Sequence, residues 1–436
     1  MDDGRVTLLG GLSLIALVVI VLGLLNFYIW ARAIRSTTRR GSRGRRIGTW
    51  LIVLAFLSVV LAQIAIQVFP AGISAPLAWV GFSWLGFAFY FILFLLVGEL
   101  VRLGLRIRGQ RAPSAAEVQL VRPEPVAVAA AVALPTPPSG SAEPADPPTV
   151  ERDHREVPRR LFLSRSIALG AGVAAASVAG YGISRAMGDP VIRRVPVQIV
   201  GLDPRLAGFT IAMFSDAHLG SIRRKSAMEQ IVESVNSAEP DLIAVVGDLI
   251  DGTVAELGRD VAPIEGLRAP HGSFFVTGNH EYYSGFQEWM DYLPDHGVRV
   301  LDNQRVAIER DGGIFDLAGI TDITGEDYGD TPDYDRALGG RDIERPVVLL
   351  CHQPVNVAQA VEHGVDLQLS GHTHGGQVWP FHYIANLQQG AVSGLSRIEA
   401  TQLYVTSGTG FWGPPMRVGA DPEVVVIELQ PREPAA

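Results

Sequence analysis

Five short clusters of Asp, Asn and His carry the chemistry open to this 436-residue sequence: Asp216-Ala217-His218, Gly247-Asp248-Leu249-Ile250-Asp251, Gly278-Asn279-His280-Glu281, His352, and Gly371-His372-Thr373-His374. Carboxylate, amide and imidazole together suit manganese, iron or zinc, whereas calcium or magnesium would want mostly oxygen. Two such ions held side by side need this mixed set plus one carboxylate able to bridge them. Of the ten histidines, His218, His280, His352, His372 and His374 fall in the clusters, while His154, His271, His296, His363 and His382 do not. A lone histidine is usually structural, but five placed this way are hard to attribute to packing. The single cysteine, Cys351, excludes an intrachain disulfide and a thiolate zinc knuckle, and reads as a small buried hydrophobe on a strand.

The elements that must position these clusters are legible in front of them. Phe209 to Phe214 is a short apolar run. Met228, Ile231, Val232 and Val235 then follow the spacing of a helix with one packed face, which Pro240 closes. Leu242 to Val246 is the next apolar run, completing a strand–helix–strand unit. Further strands are expected at 273–276, 315–319, 347–351, 366–369, 403–406 and 424–428. Five of these runs end in a cluster. In open α/β sheets the ligand site lies at the carboxyl ends of strands, so the five loops can converge. Gly247, Gly278 and Gly371 let the backbone turn sharply there.

In this order, D-x-H, G-D-x-x-D, G-N-H-E, a lone His and G-H-T-H resemble the calcineurin-like metallophosphoesterase superfamily, over roughly residues 209–428. The resemblance implies an α/β fold, a sandwich of two mixed β-sheets flanked by helices. It implies that Asp216, His218 and His374 hold a first divalent ion, that Asn279, His352 and His372 hold a second, and that Asp248 bridges them. His280 would be the catalytic residue facing the leaving group, and Asp251 would support its loop. The implied reaction is hydrolysis of a phosphate mono- or diester by in-line attack of a metal-bridging hydroxide, without a covalent enzyme intermediate. Gly252 stands where Ser/Thr protein phosphatases of the superfamily carry an arginine, which argues against that activity. The stretches Gly371 to Gln377 and Tyr404 to Arg417 are more similar to bacterial membrane-associated phosphoesterases, some of which act on lipid-linked phosphates or diphosphates.

Several residues admit two readings. Arg417 could bind a substrate phosphate through its planar fork or simply pin a loop. Trp379, Phe381, Phe411 and Trp412 read most simply as core, and more sharply as an apolar wall for a lipid tail or a contact with the membrane interface. The acidic stretch Glu326 to Asp335 reads as a solvated loop. For the whole chain, the alternative to an enzyme is a non-catalytic membrane-anchored metal-binding scaffold or sensor. Such a module would be expected to lack a ligand or the leaving-group histidine, and none is missing.

Charge divides the chain. Residues 1–190 hold 19 Lys and Arg against 11 Asp and Glu, leaving 17 against 34 in residues 191–436. The acidic second part repels polyanions, so no nucleic-acid partner is expected. In the first part Val6 to Trp30, Ile47 to Phe69 and Leu77 to Val101 are long and apolar enough to cross a bilayer, giving a three-span region over 1–110. Arg32, Arg35, Arg39, Arg40, Arg43, Arg45 and Arg46 crowd the first connection, and the second has no basic residue. Positive loops stay cytoplasmic, so the segment after Val101 is expected inside. Residues 111–158 read as a Pro/Ala-rich disordered linker. The segment 159–190 opens with Arg159-Arg160-Leu161-Phe162-Leu163 before an Ala/Gly-rich stretch. It reads either as a twin-arginine signal for an export machinery or as a fourth span. Both place the domain at 191–436 outside the cytoplasm, in a multi-pass protein of the cell membrane.

Overall fold

The computed structural model describes residues 3–111 and 159–432. Four helices come first: α1 (Asp3–Ile29), α2 (Arg43–Val68), α3 (Ala71–Arg111) and α4 (Arg159–Ala186). With the π-helical turn Trp30–Arg35 that continues α1, they contain four stretches long and apolar enough to cross a membrane, Ala16–Arg35, Arg43–Val68, Ala71–Leu105 and Arg160–Ala186. Leu51, Leu54, Leu61 and Leu100 remain exposed on this bundle, as a lipid-facing surface requires. Helix α3 runs further than hydropathy suggested, and Pro76 lies inside it near its start, where few backbone hydrogen bonds are forfeited. The fourth helix is compatible with both readings of 159–190. The expected linker falls outside the described residues, apart from Arg111.

Only residues 187–190 separate α4 from the first strand of a two-sheet sandwich. The strands in chain order are β1 (Val191–Val200), β2 (Phe209–Phe214), β3 (Leu242–Val246), β4 (Ser273–Val276), β5 (Val298–Val300) and β6 (Gln304–Arg310). They continue with β7 (Gly313–Gly319), β8 (Val347–Leu350), β9 (Leu367–Ser370), β10 (Gly394–Ile398), β11 (Thr401–Val405) and β12 (Glu423–Arg432). One six-stranded sheet has the order β1-β12-β2-β3-β4-β5 and the other β10-β11-β9-β8-β7-β6. Both are mixed. In the first, β12 runs antiparallel to β2 while β2, β3 and β4 are parallel, with Ile211 opposite Leu242 and Ile243 opposite Ser273. In the second, β7, β8, β9 and β11 are parallel and the edge strands β6 and β10 are antiparallel.

The core between the sheets is built from alternate residues of facing strands, among them Phe209, Met213, Val246, Phe315, Leu350 and Leu369. Strand side chains alternate faces, so the other residues of the first sheet need a second cover. Helix α5 (Lys225–Ser237) provides it by burying Met228, Ile231 and Val235, with α6 (Val254–Val261) alongside. Two further helices, α7 (Asn279–Tyr283) and α8 (Phe286–Asp295), follow β4. The acidic 326–335 stretch is partly built in rather than solvated throughout: Tyr282 donates its hydroxyl to Asp330 at 2.6 Å, and Tyr334 is buried.

The helical bundle packs directly on the sandwich. Gly86 of α3 and Gly182 of α4 both lie against Met416, where a side chain would collide. The Arg417 backbone N–H donates to Gly182 O at 2.9 Å. Near the start of α3, Ser74 Oγ lies 2.9 Å from Ser221 Oγ, and Ile222 packs with Phe82.

Candidate metal centre

The loops after β2, β3, β4, β8 and β9 meet at one end of the sandwich. The first two are zipped together by Asp216 N–H to Gly247 O at 3.0 Å and His218 N–H to Asp248 O at 3.1 Å. Loop three is drawn in by His280 N–H, which donates to Asp248 Oδ1 at 2.9 Å. The last is drawn in by His372 N–H, which donates to Asp216 Oδ1 at 3.0 Å. Approaches this close leave no room for side chains at two turns. A Cβ at Gly278 would run into the Asp248 carboxylate, and one at Gly371 into Ser215 Oγ and Asp216 Oδ2.

The convergence produces three donor groups, of which one, His218, Asp251 and His280, shares His218 with the first of the other two. Asp216, His218 and His374 present ligand atoms within 4.8 Å of one another, and so do Asp248, His352 and His372. These are the residues the family resemblance assigned to the first ion and, with Asp248 as bridge, to the second. Asn279, the remaining assigned ligand, has its Oδ1 buried with no hydrogen-bond partner. An orphaned amide oxygen beside carboxylate and imidazole is a donor that a cation would satisfy. Ring nitrogens point the same way: His218 Nε2 faces His374 Nε2 at 3.0 Å, and His352 Nε2 lies 3.3 Å from His372 Nδ1. Ring nitrogens at that range need a cation or a proton between them, so the residues present fit a pair of metal ions.

The neighbours of the ligands fix which nitrogen is free. His352 Nδ1 lies 2.8 Å from Val246 O, a carbonyl that can only accept, so Nδ1 carries the proton and Nε2 is available. His218 Nδ1 and His280 Nδ1 both donate to Asp251 Oδ1, at 3.0 and 2.6 Å. Burial pushes the Asp251 carboxyl up, but His218 and His280 outweigh it and hold Asp251 below the usual carboxylate range. Burial likewise opposes a charge on His280, yet its bond to Asp251 and the nearby carboxylates raise its pKa to about 9. Bound cations would act in the opposite direction. Burial and then the Arg417 guanidinium keep His374 well below its ordinary pKa, hence neutral, the form that binds metal.

Three contributions were not visible in the sequence. Glu281, fully buried, accepts from Asp248 N–H at 2.9 Å, Leu249 N–H at 2.8 Å and Gly278 N–H at 2.6 Å, tying the β3 and β4 loops together. It stood inside a recognised motif, but its partners are backbone amides and leave no trace in residue types. Arg223, also buried, donates to Ala217 O at 3.1 Å and to Ala186 O at 3.3 Å, linking the Asp216–His218 turn to the end of α4. Third, Asp216, His218, Asp248, His372 and His374 all have left-handed backbone, with φ of 53°, 46°, 53°, 69° and 52°. Side chains rarely adopt this conformation, which costs on the order of 1 kcal/mol or more at each residue.

The residues with two readings resolve as follows. Arg417 is 1% exposed, and its guanidinium donates to Gly410 O and, at 2.7 Å, to His374 O, an arrangement that pins the His374 turn. Of the four aromatics, Phe411 alone is core, at 5% exposed; Trp379, Phe381 and Trp412 are 49, 43 and 60% exposed. The Trp412 ring lies 6.1 Å from the His280 ring.

Comparison with known proteins agrees with this geometry. Residues 209–376 match the family model described as calcineurin-like phosphoesterase. An uncharacterized metallophosphoesterase of Helicobacter pylori is 36% identical over 280 residues, covering 64% of this chain and 74% of that protein. A transmembrane protein with metallophosphoesterase domain from Danio rerio is 36% identical over 265 residues, covering 58% of this chain and 61% of that protein. Among solved structures, the phosphopantetheinyl hydrolase PptH of Mycobacterium tuberculosis is similar at a TM-score of 0.31 and 14% identity, over 50% of this chain and 98% of that one. Four helices among the described residues are long and apolar enough to cross a membrane, and together with a relative of that description they suggest a membrane protein. By motifs, fold and relatives, the chain belongs to the calcineurin-like phosphoesterase family and is a metal-dependent phosphoester hydrolase.

Proposed function

We propose that this protein is a membrane-anchored dinuclear-metal phosphoesterase that cleaves phosphate mono- or diesters, lipid-linked ones among them, on the extracytoplasmic side of the cell membrane. The observation that carries the reading is the completeness of the centre: both assigned donor triads, the orphaned Asn279 oxygen and an oriented His280 occur together. When bound, two divalent ions supply a lowered pKa for a water and neutralise charge on the phosphoryl oxygens. The chain's own part is to hold those groups still. Asp251 accepts a hydrogen bond from His280 Nδ1–H, which turns Nε2 outward as the atom that, when protonated, can pass a proton to the departing oxygen. Glu281 and Asp216 fasten the loops so that the ligands reach one point without rearrangement.

The test is hydrolysis of p-nitrophenyl phosphate and bis(p-nitrophenyl) phosphate by the full chain in detergent, stripped of metal and reloaded with manganese, iron or zinc. Activity should return with metal and vanish in Asp248→Asn. His280→Ala should keep both ions but lose roughly 10²-fold or more in kcat. Two tightly bound ions with no turnover on either ester would turn the assignment toward a metal-binding scaffold.

A further inference from the structure

The segment that follows the His374 turn is unusually apolar on its outside. Trp379, Phe381, Tyr383, Ile384 and Leu387 are all substantially exposed, Leu387 at 86%. Phe381 and the helix from His382 to Gln389 that follows form a short strap with these side chains outward. A soluble surface rarely gathers so many large apolar groups within nine residues, and such a patch marks a contact.

What covers the strap follows from what it touches. The Phe381 ring lies 5.3 Å from the ring of Phe89, Tyr90 donates its hydroxyl to Trp379 O at 3.0 Å, and Met416 packs on Gly86. Residues 86, 89 and 90 lie near the middle of the apolar stretch Ala71–Leu105. A hydrocarbon core about 30 Å thick takes up roughly 20 helical residues at ~1.5 Å each. Any window of that length within 71–105 includes residues 86 to 90, wherever the bilayer is drawn along the helix. An element that touches them is therefore below the bilayer surface.

We propose that the strap from Trp379 to Leu387 inserts into one leaflet beside α3, and that the metal centre accordingly takes amphiphilic phosphoesters whose apolar part stays in that leaflet. This rests on the phosphoesterase reading above and on α3 crossing the membrane. The strap starts five residues after His374, so the leaflet lies next to the centre. A cavity of about 750 Å³ adjoins both, lined by Gly375 of the metal turn and by Trp379, His382 and Val418. Trp412, exposed and beside His280, puts an indole at the leaving-group side of the centre, where an interfacial aromatic is at home.

Two measurements on the full chain in phosphatidylcholine nanodiscs test this. For depth, Leu387→Cys is labelled with a polarity-sensitive fluorophore, with Ile343→Cys, 79% exposed in the loop that enters β8 at the end away from His352, as the aqueous reference; native Cys351 is buried. The label at 387 should be quenched by spin-labelled lipid and protected from iodide, and the label at 343 should show the reverse. Equal iodide quenching at both positions would overturn the insertion. For substrate, Ile384→Ser combined with Leu387→Ser is assayed on phosphatidic acid and phosphatidylglycerol in the discs and on the two p-nitrophenyl esters. Loss of roughly tenfold or more on the lipids, with the soluble esters unaffected, is expected from removing two aliphatic side chains that the leaflet would cover. Lipid hydrolysis equal to wild type, or none by a wild type active on soluble esters, would overturn the substrate class. Wild type inactive on all four would instead count against the phosphoesterase reading, and the depth result would still decide the insertion.

Discussion

Asp251 shows how much of the centre depends on residues outside the assigned ligand sets. One of its oxygens receives both His218, an assigned ligand, and His280, the proposed proton donor, so a single carboxylate orients groups on two different loops. Asp251→Asn should lower kcat about 10- to 100-fold while losing less metal than His218→Ala, as steady-state rates and metal content would show. The ligand types were readable because carboxylates and imidazoles repeated after apolar runs are rare by packing alone. Their left-handed backbone was not readable, since nothing in Asp or His announces a positive φ. That strain has a measurable sign. At His372, φ 69°, glycine fits the backbone and alanine does not. In metal-free protein His372→Gly should therefore melt above His372→Ala by an equivalent of about 1 kcal/mol, the reverse of the usual order of these two residues. Melting in the ordinary order would mean the turn relaxes without its metal.

Eight strands followed from apolar runs; β1, β5, β6 and β10 did not, and these four are the edges of the two sheets. An edge strand pairs on one side only and is often wet, so it needs few buried apolar residues and hydropathy is silent about it. In β6 only Ile308 is fully buried, and β10 buries none. The packing of α4 on the metal loops was equally hidden, because a buried arginine looks like any other arginine in a sequence. Arg223 joins the carbonyl between Asp216 and His218 to the last residue of α4. Removing it strands two carbonyls, at about 1–3 kcal/mol for each one left buried. Arg223→Met should lower the melting temperature and weaken metal binding about tenfold, whereas Arg299→Met, on an exposed position, should do neither. Equal metal affinities in the two variants would show that the anchor helix and the centre are independent.

At the scale of the molecule, the arginine-rich connection and the sandwich lie at opposite ends of the same bundle. Arg165, in the second turn of α4, donates to Thr37 O at 3.1 Å, and Arg185, in its last turn, pairs with Asp421 of the sandwich at 2.9 Å. Twenty helical residues separate those arginines, a rise of roughly 30 Å, the thickness of a hydrocarbon core. On the proposed topology the seven arginines between 32 and 46 put that end in the cytoplasm, since positively charged short loops are not translocated. The turn between α2 and α3, which has no basic residue, lies at the other end, with Ser74 against Ser221. Packing separates the arginine loop from the sandwich, and charge placement then supports the proposed orientation. In intact cells a membrane-impermeant maleimide should label Ile343→Cys freely and leave Thr38→Cys unlabelled until the membrane is opened. The opposite pattern would put the metal centre in the cytoplasm and its substrates in the inner leaflet. Labelling of both in intact cells would mean that the arginine loop and the sandwich share one side and that α4 does not cross.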